Sequence, residues 1–240
     1  RLGAVTDDGV VALDSLVEGV DGFPPQLVMK TVIEQWSDYE GKFKAAIGSG
    51  EATVLDQVRL RAPLPCPTAM VCMAGNYMEF GTLKEKPVQQ AFIKHSHAVI
   101  GDGDTMQLPD VPASVFEGEA ELAMVVAKRA SKVSVDEAMD YVFGYVNFVD
   151  GSARGLLAGM GLPYFMKCKD TFAPIGPYVV TADEIEDPHK LQIRQRNNGK
   201  VTHDYNTDDM AYTIAETIAF VTFNSTLDAG DVIAVGVNHG

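Results

Sequence analysis

Two glutamates, Glu119 and Glu121, stand one residue apart at the start of an apolar run that continues to Val126. Side chains alternate across a β-strand, so residues two apart lie on the same face. Burying two carboxylates side by side is costly unless a cation neutralises them. The pattern therefore indicates a strand that begins beside a bound cation.

A third carboxylate, Asp150, closes a second apolar run that begins at Gly144. An all-oxygen, carboxylate-rich site suits Mg²⁺, Mn²⁺ or Ca²⁺ better than it suits zinc or copper. We therefore expect Glu119, Glu121 and Asp150 to converge from separate stretches of the chain and to hold one divalent cation.

The composition indicates a sizeable core and argues against anionic partners. The chain has 240 residues, 46% of them hydrophobic, and a net charge of −14. Nucleic acids and anionic membranes both select basic surfaces, so the acidic balance argues against both. No apolar run reaches the roughly 18 residues of a membrane span.

The N-terminus lacks the pattern of an export signal, which favours the cytoplasm. Cys66, Cys72 and Cys168 match no zinc-binding spacing and are expected to be reduced thiols.

Turn signals and short apolar runs predict many strands and few helices. Hairpins are expected over residues 1–13 and 191–205, where Asp-Gly and Asn-Gly pairs mark the turns. Helical spacing covers residues 27–47, and a second helix is predicted to begin at Asp208 or Asp209 and to run to about residue 224. The pattern is that of a β-rich α+β domain rather than a βαβ array.

A proline-rich stretch, Ala62-Pro-Leu-Pro-Cys-Pro67, suggests a boundary near residue 60. Residues 1–60 are then a small N-terminal α/β segment, and residues 61–240 form the main domain. Within that domain, residues 75–90 are polar and weakly patterned, which is typical of a mobile loop.

Beyond this boundary the chain carries several short motifs in a characteristic order. They are Met73-Ala-Gly75-Asn76-Tyr77, Glu119-Ala-Glu121-Leu122, Gly144-Tyr145 to Asp150 with Ser152-Ala-Arg154, Lys167 with Asp170-Thr-Phe-Ala-Pro174, Asn206-Thr-Asp208-Asp-Met210, and Leu227 to Ile233. Each motif alone is weak. Together, from about residue 62 to the end, they resemble the fumarylacetoacetate hydrolase (fumarylacetoacetase) superfamily, with this chain as a divergent member.

The resemblance implies a fold, a cofactor and a substrate class. The fold would be mixed β-sheets wrapped into a β-roll, like the C-terminal domain of fumarylacetoacetase, and a homodimer would be usual. Glu119, Glu121 and Asp150 would hold Mg²⁺ or Mn²⁺. The substrate would be a small 2-oxo acid or β-dicarbonyl compound, undergoing C–C bond hydrolysis, decarboxylation or isomerisation. A cation chelated by such a substrate would polarise its carbonyl and stabilise the resulting enolate.

The resemblance also assigns roles to residues around the cation. Lys167 would lie beside the metal as a catalytic and substrate-binding group, and Tyr77 and Gly236 would contact the substrate. Arg154 either pairs with a carboxylate structurally or clamps the substrate. Glu79, in the polar loop, is a further candidate catalytic residue.

The proton-transfer residue is left open by the sequence. Members of the family often carry a histidine three residues after the tyrosine of the Asn-Tyr motif and a glutamate three residues later. Phe80 and Leu83 stand at those places here, and neither can move a proton. Alternative bases are Glu79, Lys84, Glu85, His95 and His97; the last two would share a strand face.

Three functions remain open in view of these departures from the family pattern. The first is a metal-dependent hydrolase, lyase or isomerase of this family. The second is a non-catalytic homologue that keeps the fold and the metal but lacks the usual His/Glu pair. The third is a β-rich interaction domain without a metal. Relatives are also expected to continue beyond Gly240, so the domain is predicted to be truncated at its C-terminus.

Overall fold

Short strands joined by few helices make up the computed structural model, which describes residues 1–157 and 159–239. The strands are β1 (Gly3–Thr6), β2 (Gly9–Ala12), β3 (Met70–Ala74), β4 (Gln90–Lys94), β5 (Val99–Ile100), β6 (Val115–Val126), β7 (Val142–Arg154), β8 (Ala173–Pro174), β9 (Val180–Thr181), β10 (Gln192–Asn197), β11 (Lys200–Asn206) and β12 (Val232–Ala234). The helices are α1 (Pro25–Glu34), α2 (Trp36–Ser49), α3 (Pro163–Lys167) and α4 (Ile214–Asn224). The predicted β-rich α+β class is confirmed. Within the described ranges, no helix is long and apolar enough to cross a bilayer.

One six-stranded mixed sheet organises the larger part of the chain. Its strand order is β4-β3-β12-β6-β7-β9. The β3–β12 pair is parallel and the other neighbours are antiparallel. β6 and β7 pair along almost their whole length, from Val115 opposite Arg154 to Val126 opposite Val142. This long ladder fixes the register of the two strands that carry the predicted ligands.

The sheet is covered on both faces, so its central strands are almost continuously apolar. In β6, Leu122 and Met124 pack with α4 in one core cluster. Ala123 and Val125, on the other face, belong to a second cluster. Since side chains alternate along a strand, the two glutamates near the start of β6 lie on this second face.

An ion pair between distant strands shows that the sheet is curled. Lys94, at the end of β4, donates a hydrogen bond to Asp150 on β7. The strand order puts β4 four positions from β7, which in a flat sheet would be about 19 Å, farther than a lysine side chain reaches. The edge strand therefore folds back over β7, as a β-roll requires. The face that carries Glu119 and Glu121 is the inside of this roll, and we call it the inner face.

The N-terminal segment has a small core of its own. Val11 and Leu13 of the β1–β2 region pack against Tyr39 and Phe43 of α2. Trp36 joins this core to the sheet by an edge-on contact with Phe143 of β7, at 5.2 Å between ring centroids. The helix predicted over residues 27–47 forms as two, α1 and α2. The boundary near residue 60 stays a prediction.

The N-terminal cap of α4 differs from the predicted one. Asp208 and Asp209 lie in a preceding 3-10 turn, and the helix begins after Thr213. Thr213 Oγ1 accepts a hydrogen bond from the Glu216 backbone at 3.2 Å, and Glu216 Oε2 accepts one from the Thr213 backbone at 2.7 Å. This reciprocal capping box satisfies two backbone donors at once. Asp209 instead accepts a hydrogen bond from the Phe80 backbone.

Replacing the observed cap should cost measurable stability. We expect Thr213→Ala to lower the free energy of unfolding by about 1 kcal/mol, because one backbone N–H at the helix start loses its acceptor. Urea denaturation would measure it. Asp208→Ala is the matched control, since Asp208 is exposed and lies outside the helix. Equal losses in the two variants would contradict the assignment of the cap.

Candidate functional site

The ladder between β6 and β7 brings the three predicted ligands together. Glu119 lies directly opposite Asp150, and Glu121 follows on the same face. One carboxylate oxygen from each lies within 4.8 Å of the other two. All three residues are buried, with at most 2% of their surface exposed. Their role as metal ligands stays a prediction, and the charges around them bear on it.

Three cations surround two of these carboxylates. Lys167 Nζ lies 2.6 Å from Glu119 Oε2 and 2.6 Å from Asp150 Oδ2. Lys94 bonds Asp150, and its Nζ also lies 3.0 Å from a backbone oxygen, that of Gly151. Arg154 bonds Glu119. The structure thus places Lys167 beside two of the predicted ligands, and it adds Lys94, which no sequence pattern indicated. The catalytic and substrate-binding role of Lys167 stays a prediction.

Glu121 has a different environment. Its Oε2 accepts the backbone N–H of Gly236 at 2.8 Å, and none of the described ion pairs includes it. Burial raises the pKa of Glu121 well above its usual value, and the charges of Asp150 and Glu119 raise it further. A buried carboxylate beside two others, with no cation bonded to it among the described ion pairs, fits a site for a divalent cation. The all-oxygen donor set points to the same kind of ion.

A local clamp holds the Gly236 backbone against Glu121. Asn76 Nδ2 donates to the Val235 carbonyl at 3.0 Å, and Asn76 Oδ1 accepts the Tyr212 N–H at 3.0 Å. Gly236 has φ +90°, and a Cβ there would lie 3.3 Å from the Asn76 Cβ, so glycine suits this close approach. The predicted substrate contact by Gly236 stays a prediction, and its N–H is occupied by Glu121 here.

Two other predicted site residues lie outside the carboxylate cluster. Tyr77 is completely buried, and its ring packs edge-on against Tyr205 at 5.0 Å between centroids. Burial raises its pKa, and the nearby Glu121 charge adds to the effect. The Glu79 carboxylate accepts the His239 backbone N–H at 2.7 Å. The roles predicted for Tyr77 and Glu79 stay predictions.

Arg154 is engaged by two carboxylates of β6. Its Nε lies 2.9 Å from Glu117 Oε2, and its Nη2 bonds Glu119. Ser152 Oγ donates to the same Glu119 oxygen at 3.1 Å. Of the two roles considered for Arg154, structural pairing is the one that this geometry displays. Glu117 lies on the face of the ligand pair but binds Arg154, and it is not part of the three-carboxylate cluster.

The expectation that His95 and His97 share a strand face was wrong. β4 ends at Lys94, and residues 96–98 form a 3-10 turn. The two rings lie 5.8 Å apart, and His95 Nε2 is 3.9 Å from Asp170. Among the described residues, Glu119, Glu121 and Asp150 are the one group of three acidic, histidine or cysteine residues arranged to hold a metal.

A cavity along the first half of β6 was not anticipated. Its volume is about 310 Å³, and its walls come from the first half of β6, the β10–β11 hairpin, Phe80 and the segment 238–239. His203 of β11 and Gln195 of β10 line it. In the sequence these residues belong to an ordinary polar hairpin, so only their packing against β6 reveals them.

Known proteins match this chain in both sequence and structure. Residues 69–240 match the fumarylacetoacetate (FAA) hydrolase C-terminal family. A mitochondrial oxaloacetate tautomerase of Xenopus laevis is 31% identical, over 100% of this chain and 76% of that protein. An oxaloacetate tautomerase of Bacillus subtilis is 33% identical over 78% of this chain, which spans 64% of that relative. The crystal structure of maleylpyruvate hydrolase from Sphingobium sp. SYK-6, in complex with manganese(II) and pyruvate, superposes with a TM-score of 0.88. It is 31% identical, over 99% of this chain and 85% of that chain.

The curled sheet and its buried carboxylate cluster define a metal-dependent enzyme of the β-roll type. The family match and the relatives then fix the particular group. The chain belongs to the fumarylacetoacetate hydrolase family, as its ordered motifs indicated.

Proposed function

We propose that this protein uses Mg²⁺ or Mn²⁺ to enolise small 2-oxo or β-dicarbonyl acids, and that keto–enol tautomerisation of a substrate such as oxaloacetate is its reaction. The observation that carries the proposal is the buried carboxylate cluster, in which Glu121 has no cationic partner among the described ion pairs. Two relatives named as oxaloacetate tautomerases support the choice of substrate.

Glu119, Glu121 and Asp150 are the residues that would hold the cation. Once bound there, a divalent ion supplies the electrophilic pull on the substrate carbonyl and stabilises the negative charge of an enolate. The described residues supply the rest of the chemistry, which is orientation of the substrate, charge balance and transfer of a proton.

Lys167 supplies a fixed positive charge at this site. Burial works to lower its pKa, but the charges of Asp150 and Glu119 outweigh burial and raise the pKa above its usual value. The side chain therefore stays an ammonium group, which carries three N–H bonds. Two of them point to Glu119 and Asp150, and we assign the third to a substrate oxygen.

Hydrolytic cleavage of a C–C bond is the second candidate. The similarity to maleylpyruvate hydrolase over 99% of the chain favours it. The products separate the two reactions, because hydrolysis of an acylpyruvate releases pyruvate and a second acid, whereas tautomerisation leaves the carbon skeleton intact. A coupled assay for pyruvate, run beside the ultraviolet signal of the enol, distinguishes them.

Removing the metal should remove the activity. We expect chelation to lower oxaloacetate tautomerisation by at least about a hundredfold, since Lewis-acid stabilisation is worth several kcal/mol, and Mn²⁺ or Mg²⁺ to restore it. Rates with metal but no protein supply the background. Undiminished turnover after chelation, or no turnover of any 2-oxo acid with either metal, would refute the proposal.

We also propose that the protein forms a homodimer. Large apolar side chains are exposed around the sheet edge and α3, including Ile93, Leu162 and Tyr164, each at least 60% exposed. Cys168, at the end of α3, donates to the Ile93 carbonyl at 2.8 Å, so the end of α3 adjoins β4. Analytical ultracentrifugation that returned the mass of one chain at micromolar concentration would rule the dimer out.

A cytoplasmic location is the remaining proposal. Cys66, Cys72 and Cys168 are all free thiols, which suits a reducing compartment. Fractionation of cells that express the native protein would test it, and recovery in an oxidising compartment would refute it.

A further inference from the structure

The cavity along the first half of β6 lies at an open part of the sheet. β12 pairs only with residues 123–125 of β6, so the preceding half of β6 has no sheet partner on that side. The β10–β11 hairpin packs there, and Tyr205 Oη donates to the Ala120 carbonyl at 2.6 Å. The cavity between them reaches Glu117, which shares Arg154 with the predicted ligand Glu119.

Two buried polar atoms in the cavity wall have no hydrogen-bond partner among the described residues. They are Gln195 Oε1 and His203 Nδ1. The two residues lie directly opposite each other in the β10–β11 ladder. Buried polar atoms in native proteins are nearly always satisfied, so two such atoms on paired residues mark this part of the hairpin as suited to meet a polar group.

Gly118 lets the β10–β11 hairpin pack closely against β6. A Cβ at this position would lie 3.2 Å from Gln195 Nε2, closer than an ordinary contact. Gly118 faces the opposite side of β6 from Glu117 and Glu119, but its neighbour Glu117 lines the cavity and shares Arg154 with Glu119. Glu117 is therefore the link between the cavity and the carboxylate cluster.

Other titratable groups in the cavity wall are already engaged. Glu117 pairs with Arg154 at 2.9 Å, and Asp204 pairs with Arg194 at 3.0 Å. The Tyr205 hydroxyl donates to a backbone carbonyl, and burial raises its pKa far above neutrality. The two histidines of the wall, His203 and His239, are the remaining candidates for moving a proton.

His203 is the better placed of the two. It is half-buried in the hairpin, whereas His239 is exposed. Burial lowers the pKa of His203, the charge of His239 lowers it further, and Glu117 and Glu119 oppose the effect. The imidazole is therefore neutral at pH 7, with one ring nitrogen able to accept a proton. The influence of Glu119 also places the ring within electrostatic range of the metal site.

We propose that His203 is the proton-transfer residue of this site and that Gln195 orients the substrate beside it. The inference rests on the proposed function. The unprotonated nitrogen of His203 takes a proton from the carbon next to the substrate carbonyl. The C–H electron pair forms the carbon–carbon double bond, and the carbonyl π pair moves to oxygen. Return of that proton from the imidazolium to the oxygen gives the enol, so no proton is gained or lost.

Substitution of His203 should remove turnover and leave binding intact. We expect His203→Gln to lower kcat on oxaloacetate by about 10²- to 10⁴-fold, the usual contribution of a general acid–base group. Calorimetric affinities for Mn²⁺ and for oxalate, an enolate mimic, should stay within about threefold of the wild type, since the carboxylate cluster is untouched. Added imidazole should restore part of the activity of His203→Ala, because the cavity has room for it.

The variant His239→Gln tests which of the two histidines transfers the proton. A larger loss of kcat in that variant than in His203→Gln would overturn the proposal. Nitrogen-15 spectra of the histidine rings give a readout independent of turnover. Oxalate added with Mg²⁺ should shift the His203 ring signals, and unchanged signals would also overturn the inference. An active wild type with an equally active His203→Gln would remove the inference and leave the proposed function standing. An inactive wild type would remove both.

Discussion

Glu121→Gln is expected to abolish measurable Mn²⁺ binding and to lower turnover by about a thousandfold, because the loss of a ligand charge removes several kcal/mol of metal-dependent stabilisation. The metal-free protein should be no less stable than the wild type. The amide oxygen of glutamine can still accept the Gly236 N–H, which lies 2.8 Å from the carboxylate. The substitution also removes a carboxyl group whose charged form is disfavoured by burial and by Asp150 and Glu119.

Calorimetric titration with Mn²⁺ and urea unfolding in the presence of a chelator measure these two effects separately. Glu117→Gln is the matched control for binding, since Glu117 lies on the same face of the same strand but pairs with Arg154. Wild-type Mn²⁺ affinity in Glu121→Gln would contradict the assignment of the ligands. Asp150→Asn should also abolish binding, but it removes the partner of Lys94 and Lys167 and therefore lowers stability as well.

Lys94→Met is expected to lower the free energy of unfolding of the metal-free protein by about 3–5 kcal/mol, the range found when one partner of a buried ion pair is removed. Lys94 is buried, with 1% of its surface exposed, and it bonds both Asp150 and the Gly151 carbonyl. Its removal leaves Lys167 as the one remaining cation in contact with Asp150 among the described ion pairs. It also breaks the contact that fastens β4 to β7.

Mn²⁺ should stabilise Lys94→Met more than it stabilises the wild type, because a positive charge next to the cation site has been removed. Chemical denaturation with a chelator and with saturating Mn²⁺ tests both statements. The double variant Lys94→Met/Asp150→Asn should regain part of the lost stability, since no buried charge is then left without its partner. Lys44→Met is the control, an exposed ion pair whose loss should be barely measurable. Equal stability of Lys94→Met and the wild type in chelator would refute the prediction.

Local patterns predicted the parts of the fold that depend on neighbouring residues. The alternation of β6 put Glu119 and Glu121 on one face, and Asn198-Gly199 fixed the turn of the β10–β11 hairpin. The cap of α4 was assigned to the wrong residue because Asp208, Asp209 and Thr213 are all good cap residues in isolation. In the folded protein Asp209 accepts a hydrogen bond from the Phe80 backbone instead, and Thr213 is the cap.

No local sequence pattern predicted the ion pair of Lys94 or the cavity that His203 lines. Lys94 ends a short strand, as exposed lysines often do, and His203 belongs to a polar hairpin. Their roles depend on strands that are distant in sequence, because β4 meets β7 only after the sheet has curled. The hairpin meets β6 only where β12 stops pairing.

Strand periodicity and the order of short motifs were enough to predict the three acidic residues, the family and the β-rich class, because both are local properties of the chain. The distribution of charge over those acids became visible in the folded molecule. Lys94 and Lys167 lie against Asp150, Lys167 and Arg154 lie against Glu119, and the described contacts of Glu121 include a backbone N–H but no ion pair. Electrostatic interactions depend on distance in space, and the curl of the sheet sets those distances.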